Sequence, residues 1–143
     1  MSTSPRIALA LAVLPLLVAC ASSGPPVSID APLEGTRWHV VEVRGEQPPE
    51  GVEPFLVIES ADGQAMGRAG CNNFNGPYRA TGNELVMGPL ASTRMRCETY
   101  AAYFEELMLE ALGATRFYVI RGNDLFLYDG PDAHVRLRVG MEG

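Results

Sequence analysis

Lysine is absent from this chain: all 11 basic residues are arginine, set against 17 carboxylates for a formal charge of −6. An acidic chain repels phosphates, so nucleic acid is not an expected partner. The all-arginine usage accompanies an Ala- and Gly-rich composition and points to codon bias rather than to a site. Histidine is scarce, with two copies, His39 and His134, in no recognisable motif. The chain also lacks a Ser-His-Asp order, a Gly-Xaa-Ser-Xaa-Gly elbow and any Cys-x-x-Cys or His-x-x-x-His spacing. Glu105 and Glu106 are paired carboxylates, but adjacent helix positions do not face each other and form no acid/base couple. A non-catalytic protein without cofactor or metal is therefore expected, and an envelope hydrolase is the weaker alternative.

No apolar run is long enough to span a bilayer, which takes roughly 20 residues. Ile7 to Val18 offers twelve, broken by Pro15. With Arg6 before it and Leu17-Val18-Ala19-Cys20 after it, this stretch reads instead as an export signal over residues 1–19. It resembles the lipobox of bacterial lipoproteins, which implies that Cys20 becomes the lipid-bearing first residue. Ala21 in place of an aspartate then implies sorting to the outer membrane, facing the periplasm. An uncleaved anchor or plain secretion are the alternatives. Residues 20–34 hold that cysteine and a Ser-, Pro- and Gly-rich linker, and the folded domain is placed at 35–140.

Cysteine is nearly as scarce as histidine. With Cys20 committed to lipid, Cys71 and Cys97 remain, an even pair in a compartment where disulfides persist. A bridge would close a loop of 27 residues and contribute about 3–4 kcal/mol on the chain-entropy view. A free thiol, or a zinc site drawing on both cysteines and both histidines, competes with it.

Most of the domain carries strand signals. Val135, Leu137 and Val139 alternate with His134, Arg136 and Arg138, which predicts a strand with one solvated face. Gly122-Asn123 and Gly82-Asn83 suit tight hairpins, and Asp62-Gly63 joins two further strands. In Thr36–Arg44, Trp38 and Val40 fall on one face and Val41 and Val43 on the other, which predicts a bulge or two-sided burial, with Trp38 as a core anchor. From Thr99 to Ala114, Tyr100, Tyr103, Phe104, Leu107, Met108, Ala111 and Leu112 follow helical spacing, opposite Glu105, Glu106 and Glu110. Thr99 is the expected cap at the start and Gly113 at the end. The fold expected is α+β: a small, mostly antiparallel sheet, a meander or a partly closed barrel, with one helix packed on its side.

Two segments are not explained by periodicity: Gly67 to Tyr78, containing Gly70-Cys71-Asn72-Asn73-Phe74-Asn75-Gly76, and Ala91-Ser92-Thr93-Arg94-Met95-Arg96-Cys97. With Trp38 and the late Leu125-Phe126-Leu127 strand, they resemble the META domain of the HslJ family of envelope lipoproteins. The resemblance implies a compact antiparallel β domain with a packed helix and pairing of Cys71 with Cys97. It brings no agreed molecular activity, only broad links to heat shock, antibiotic tolerance or secretion. Trp38, Tyr78, Ser92, Thr93, Arg94 and Met95 take structural places in it. Gly70, Asn72, Asn73, Phe74, Asn75 and Gly76 read as a loop, structural in Phe74 and the glycines, whose asparagines serve either the turn or a ligand.

The expected function is binding at the bacterial cell envelope by a lipid-anchored monomer. Its partners are the membrane, through the lipid, and an envelope protein or lipid. A lipid carrier or secretin pilot is the alternative, which a wide apolar cavity would favour.

Overall fold

A computed structural model describes residues 29–140. Cys20, the leader and residues 21–28 lie outside the described residues. Nine strands and a helix follow in the order β1 (Arg37–Val43), β2 (Phe55–Glu59), β3 (Gln64–Arg68), β4 (Asn73–Thr81), β5 (Glu84–Met87), β6 (Ala91–Ser92), α1 (Thr99–Ala114), β7 (Phe117–Arg121), β8 (Asp124–Tyr128) and β9 (Ala133–Val139). The eight longer strands pair antiparallel with their neighbours in sequence, and β1 pairs with β9. The meander thus closes into an up-and-down barrel, the fuller of the two forms expected. Closure removes the exposed sheet edges that an open meander would carry.

Alternation of side chains fills the barrel. Trp38, Leu56, Ile58, Leu85, Leu125 and Leu137 point inward and are fully buried, each contributing about 1.5–3 kcal/mol. Eight strands leave an interior just wide enough for such side chains. In β1 the pairing with β9 slips between Val40 and Glu42. Val41 is the extra residue of a bulge, which returns Val43 to the inner face beside Trp38 and Val40.

Tight turns set the barrel's lower end. Gly82 and Gly122 each open a two-residue hairpin with φ of 60°. Asn83 and Asn123 stay at negative φ, so only the first turn position requires glycine, as in a type II′ turn. The β2–β3 connection has four residues and places Gly63 at φ 63°.

Both barrel ends are plugged. At the lower end Leu33 is buried, and its carbonyl accepts the Trp38 indole N–H at 3.0 Å. Asp30 and Ala31 exchange hydrogen bonds with Gly122, and Tyr78 Oη donates to Glu34 at 2.6 Å. Residues 30–34 therefore belong to the folded domain, which begins before 35: Leu33 supplies an apolar group that the polar composition of 21–34 hides.

At the upper end lies α1, which contacts β1, β9 and β5. These strands stand on different sides of the ring, so the helix caps the barrel mouth rather than covering one side of the sheet. Its buried residues are Ala101, Phe104, Met108, Ala111 and Leu112. Tyr100 and Tyr103 stack on each other and remain half exposed, outside the expected apolar stripe. The helix ends also differ from expectation. Glu98 occupies the N-cap without a side-chain bond, and Thr115 ends the helix through its N–H to Leu112 and its hydroxyl to Ala111. With Thr115 satisfying those carbonyls, Gly113 has no left-handed turn to make.

Candidate functional site

The long motif is not a loop. Its second half is the start of β4, in which Phe74 and Gly76 face the core while Asn73 and Asn75 face outward. Only residues 69–72 bend, at the barrel's upper rim, where Cys71 and Cys97 are bridged with a Cα–Cα distance of 5.8 Å. This bridge ties the rim to the segment entering α1.

Asn72 organises that rim. It is 3% exposed, and its Oδ1 accepts the Thr93 hydroxyl and the Met95 N–H, each at 2.8 Å. Its Nδ2 donates to Glu105 Oε1 at 2.9 Å and to the Met95 carbonyl at 3.2 Å. Its backbone N–H donates to Glu105 Oε2, also at 2.9 Å. Glu105, expected on the solvated helix face, instead clamps the rim to α1. Gly70 makes the approach possible, since a Cβ there would stand 2.5 Å from the Ala101 carbonyl oxygen. The Cys71 and Cys97 sulfurs and a Glu105 oxygen lie within 4.8 Å of one another. Bonded to each other, those sulfurs have no thiolate to offer a metal, so the donor set fits a covalent clamp better than a zinc site.

A second titratable cluster lies at the same end. His134, expected on a solvated face, is 7% exposed. Its Nε2 stands 3.1 Å from Thr115 Oγ1 and its Nδ1 3.0 Å from Asp129 Oδ1. The hydrogen bond with His134 holds the Asp129 carboxyl below its usual range, assisted by Arg44. A Thr-His-Asp order invites comparison with a nucleophile triad. Thr115, however, is fully buried and its hydroxyl also bonds Ala111 O, so no substrate reaches it. The cluster joins the helix end to β9. Further along β9, Arg138 and Arg136 pair with Asp124 and Glu42, and Asp124 raises the Arg138 pKa.

Outside the barrel, register sets two rows of outward side chains side by side. One runs Arg37, Val57, Met66, Asn75 and Ala91; the next runs His39, Phe55, Arg68 and Asn73, continued by Thr93. Between them opens a groove of ≈ 640 Å³ walled by Phe55, Met66, Asn73, Asn75, Ala91 and Thr93, over the backbone of Gly67 and Phe74. The outward half of both motif segments lines this groove, whereas the inward half builds the fold. Asn73 and Asn75 were legible as candidates. Phe55 and Met66 were not, because only cross-strand register brings them there.

The META domain family matches residues 31–140, a span that contains the rim, the helix and the groove. The chain belongs to the META domain family. Two solved structures share this META domain's fold. One, described as an NMR structure of the protein from Burkholderia xenovorans, is 21% identical, covers 97% of this chain and 100% of its own, and superposes with a TM-score of 0.62. The other, described as an NMR structure of the protein, is also 21% identical, covers 75% of this chain and 91% of its own, and has a TM-score of 0.59. No protein of curated function matches the chain.

Proposed function

We propose that this META domain is a non-catalytic binding module of the HslJ type, held at the bacterial outer membrane by lipid on Cys20 and serving envelope stress or antibiotic tolerance. The observation that carries the binding reading is the division of labour within its motifs. Asn72, Thr93, Phe74 and the cystine are spent on the fold, while the side chains of Asn73 and Asn75 face outward along the groove. Exposed polar groups beside a half-buried Phe55 and an exposed Met66 are what a recognition surface requires. A lipid carrier needs interior space that Trp38, Phe104 and their neighbours already fill. The deciding experiment replaces Asn73 and Asn75 together by alanine and measures melting temperature beside envelope-stress survival. Lost survival with an unchanged melting temperature supports the groove. Retained survival, or loss that merely follows stability, removes it.

A further inference from the structure

We propose that the groove takes an extended acidic peptide segment of a partner protein, with an apolar side chain between Phe55 and Met66 and carboxylates on Arg37 and Arg68. This rests on the binding reading above and names its ligand class.

Charge complementarity carries the choice. The chain has a net charge of −6, yet neither outward row contains a carboxylate and both contain an arginine. Arg37 lies over the Phe55 ring at 3.5 Å from its centroid and is itself exposed. Arg68 stands between Phe55 and Asn73 in the register. Among the described residues, neither arginine has a carboxylate within 4.0 Å, whereas Arg44, Arg136 and Arg138 do. A planar guanidinium without a partner is matched to a carboxylate in geometry as well as in charge.

The groove's remaining groups favour a peptide over a lipid surface. Asn73 and Asn75 are two residues apart on one strand face, the same repeat that an extended peptide presents. Each amide offers both a donor and an acceptor, which suits peptide N–H and C=O groups. Acyl chains laid on the same surface would leave these amides without partners, at a desolvation cost. The volume of ≈ 640 Å³ lies in the range of small-ligand pockets and has room for one or two side chains rather than a folded surface.

The test uses the exported chain carrying Cys20→Ser, labelled with nitrogen-15. It is titrated with the peptide acetyl-Asp-Glu-Leu-Asp-Glu-amide, with its Asn/Gln counterpart, and with phosphatidylglycerol vesicles. The expected result is a set of shifts confined to β1 around Arg37 and to β2, β3, β4 and β6, with the neutral peptide weaker by about tenfold or more, the scale of a lost charge pair. Arg37→Gln with Arg68→Gln should weaken the acidic peptide by a similar factor at unchanged melting temperature. Met66→Glu, at a half-exposed site, should abolish binding. Equal affinity for both peptides, no binding at millimolar concentration, shifts elsewhere, indifference to these variants, or a preference for vesicles would each overturn the proposal. If the acidic peptide fails while the Asn73 and Asn75 substitutions still cost survival, the ligand class is wrong and the groove stands. If both fail, the groove falls too.

Discussion

Asn72 and Glu105, 33 positions apart, hold each other twice: the Asn72 backbone N–H meets Oε2 and its side-chain amide meets Oε1, each at 2.9 Å. The two bonds pin the upper rim of the barrel to α1 beside the cystine. Because the asparagine is buried, removing its side chain leaves Thr93, Met95 and Glu105 with unsatisfied polar groups. Asn72→Ala should destabilise by about 2–4 kcal/mol, and Glu105→Gln by less, since an amide oxygen can replace one acceptor. In a double-mutant cycle the two should couple by more than about 1 kcal/mol. Additive losses in chemical denaturation would show that the pair is incidental.

The bridge between Cys71 and Cys97 predicts a second loss. Replacing both by serine should cost about 3–4 kcal/mol, a fall in melting temperature on the order of 15 °C for a domain of this size. In the native protein, alkylation without reductant should leave both residues unlabelled. Quantitative labelling of either would refute the bridge in the protein as the cell makes it.

Two groups predict opposite pH dependence. The folded-state pKa of Asp129 is depressed by His134, so its contribution is present above the unfolded carboxylate value of about 4 and is lost as pH falls further. Asp129→Asn should therefore flatten the melting-temperature profile on the acid side. Tyr78 is pushed up to about 12, first by burial and then by its hydrogen bond to Glu34. Its contribution is present below the unfolded value of about 10 and is lost as pH rises through the folded one. Tyr78→Phe should remove that alkaline loss and a late phase of the tyrosine absorbance titration. Profiles unchanged by either variant would contradict the corresponding linkage.

The anchor has its own test. With lipid on Cys20, the mature chain should begin at that residue with an acylated mass, and Cys20→Ser should move the protein from the membrane to the soluble fraction. An unmodified N-terminus elsewhere in the mature protein would end the lipoprotein reading.

Local physics was legible along the chain. The apolar spacing from Thr99 to Ala114 gave the helix its observed limits, because backbone period and burial act within a few residues of each other. The Gly-Asn pairs marked hairpins, the uneven face of Thr36–Arg44 marked the bulge at Val41, and the two leftover cysteines marked a bridge. Each of these depends on neighbours in sequence or on a count.

Closure decided the rest. Pairing β1 with β9 brings together strands from opposite ends of the domain, and no local period encodes that contact. The same closure carries α1 over the barrel mouth, buries His134 against Thr115, and turns Glu105 from a solvated charge into the partner of Asn72. Tyr100 and Tyr103 fell outside the apolar stripe because a helix capping a round mouth buries a narrower face than one lying on a sheet. The groove belongs wholly to tertiary structure: Arg37, Phe55, Met66 and Asn75 come from four strands, and only antiparallel register sets them side by side. Sequence alone determined the helix limits, the hairpin turns and most of the inward-facing strand residues, since those follow from side-chain period and backbone preference. Which outward residues meet was decided by the fold, because that depends on how far each strand slides before its hydrogen bonds lock.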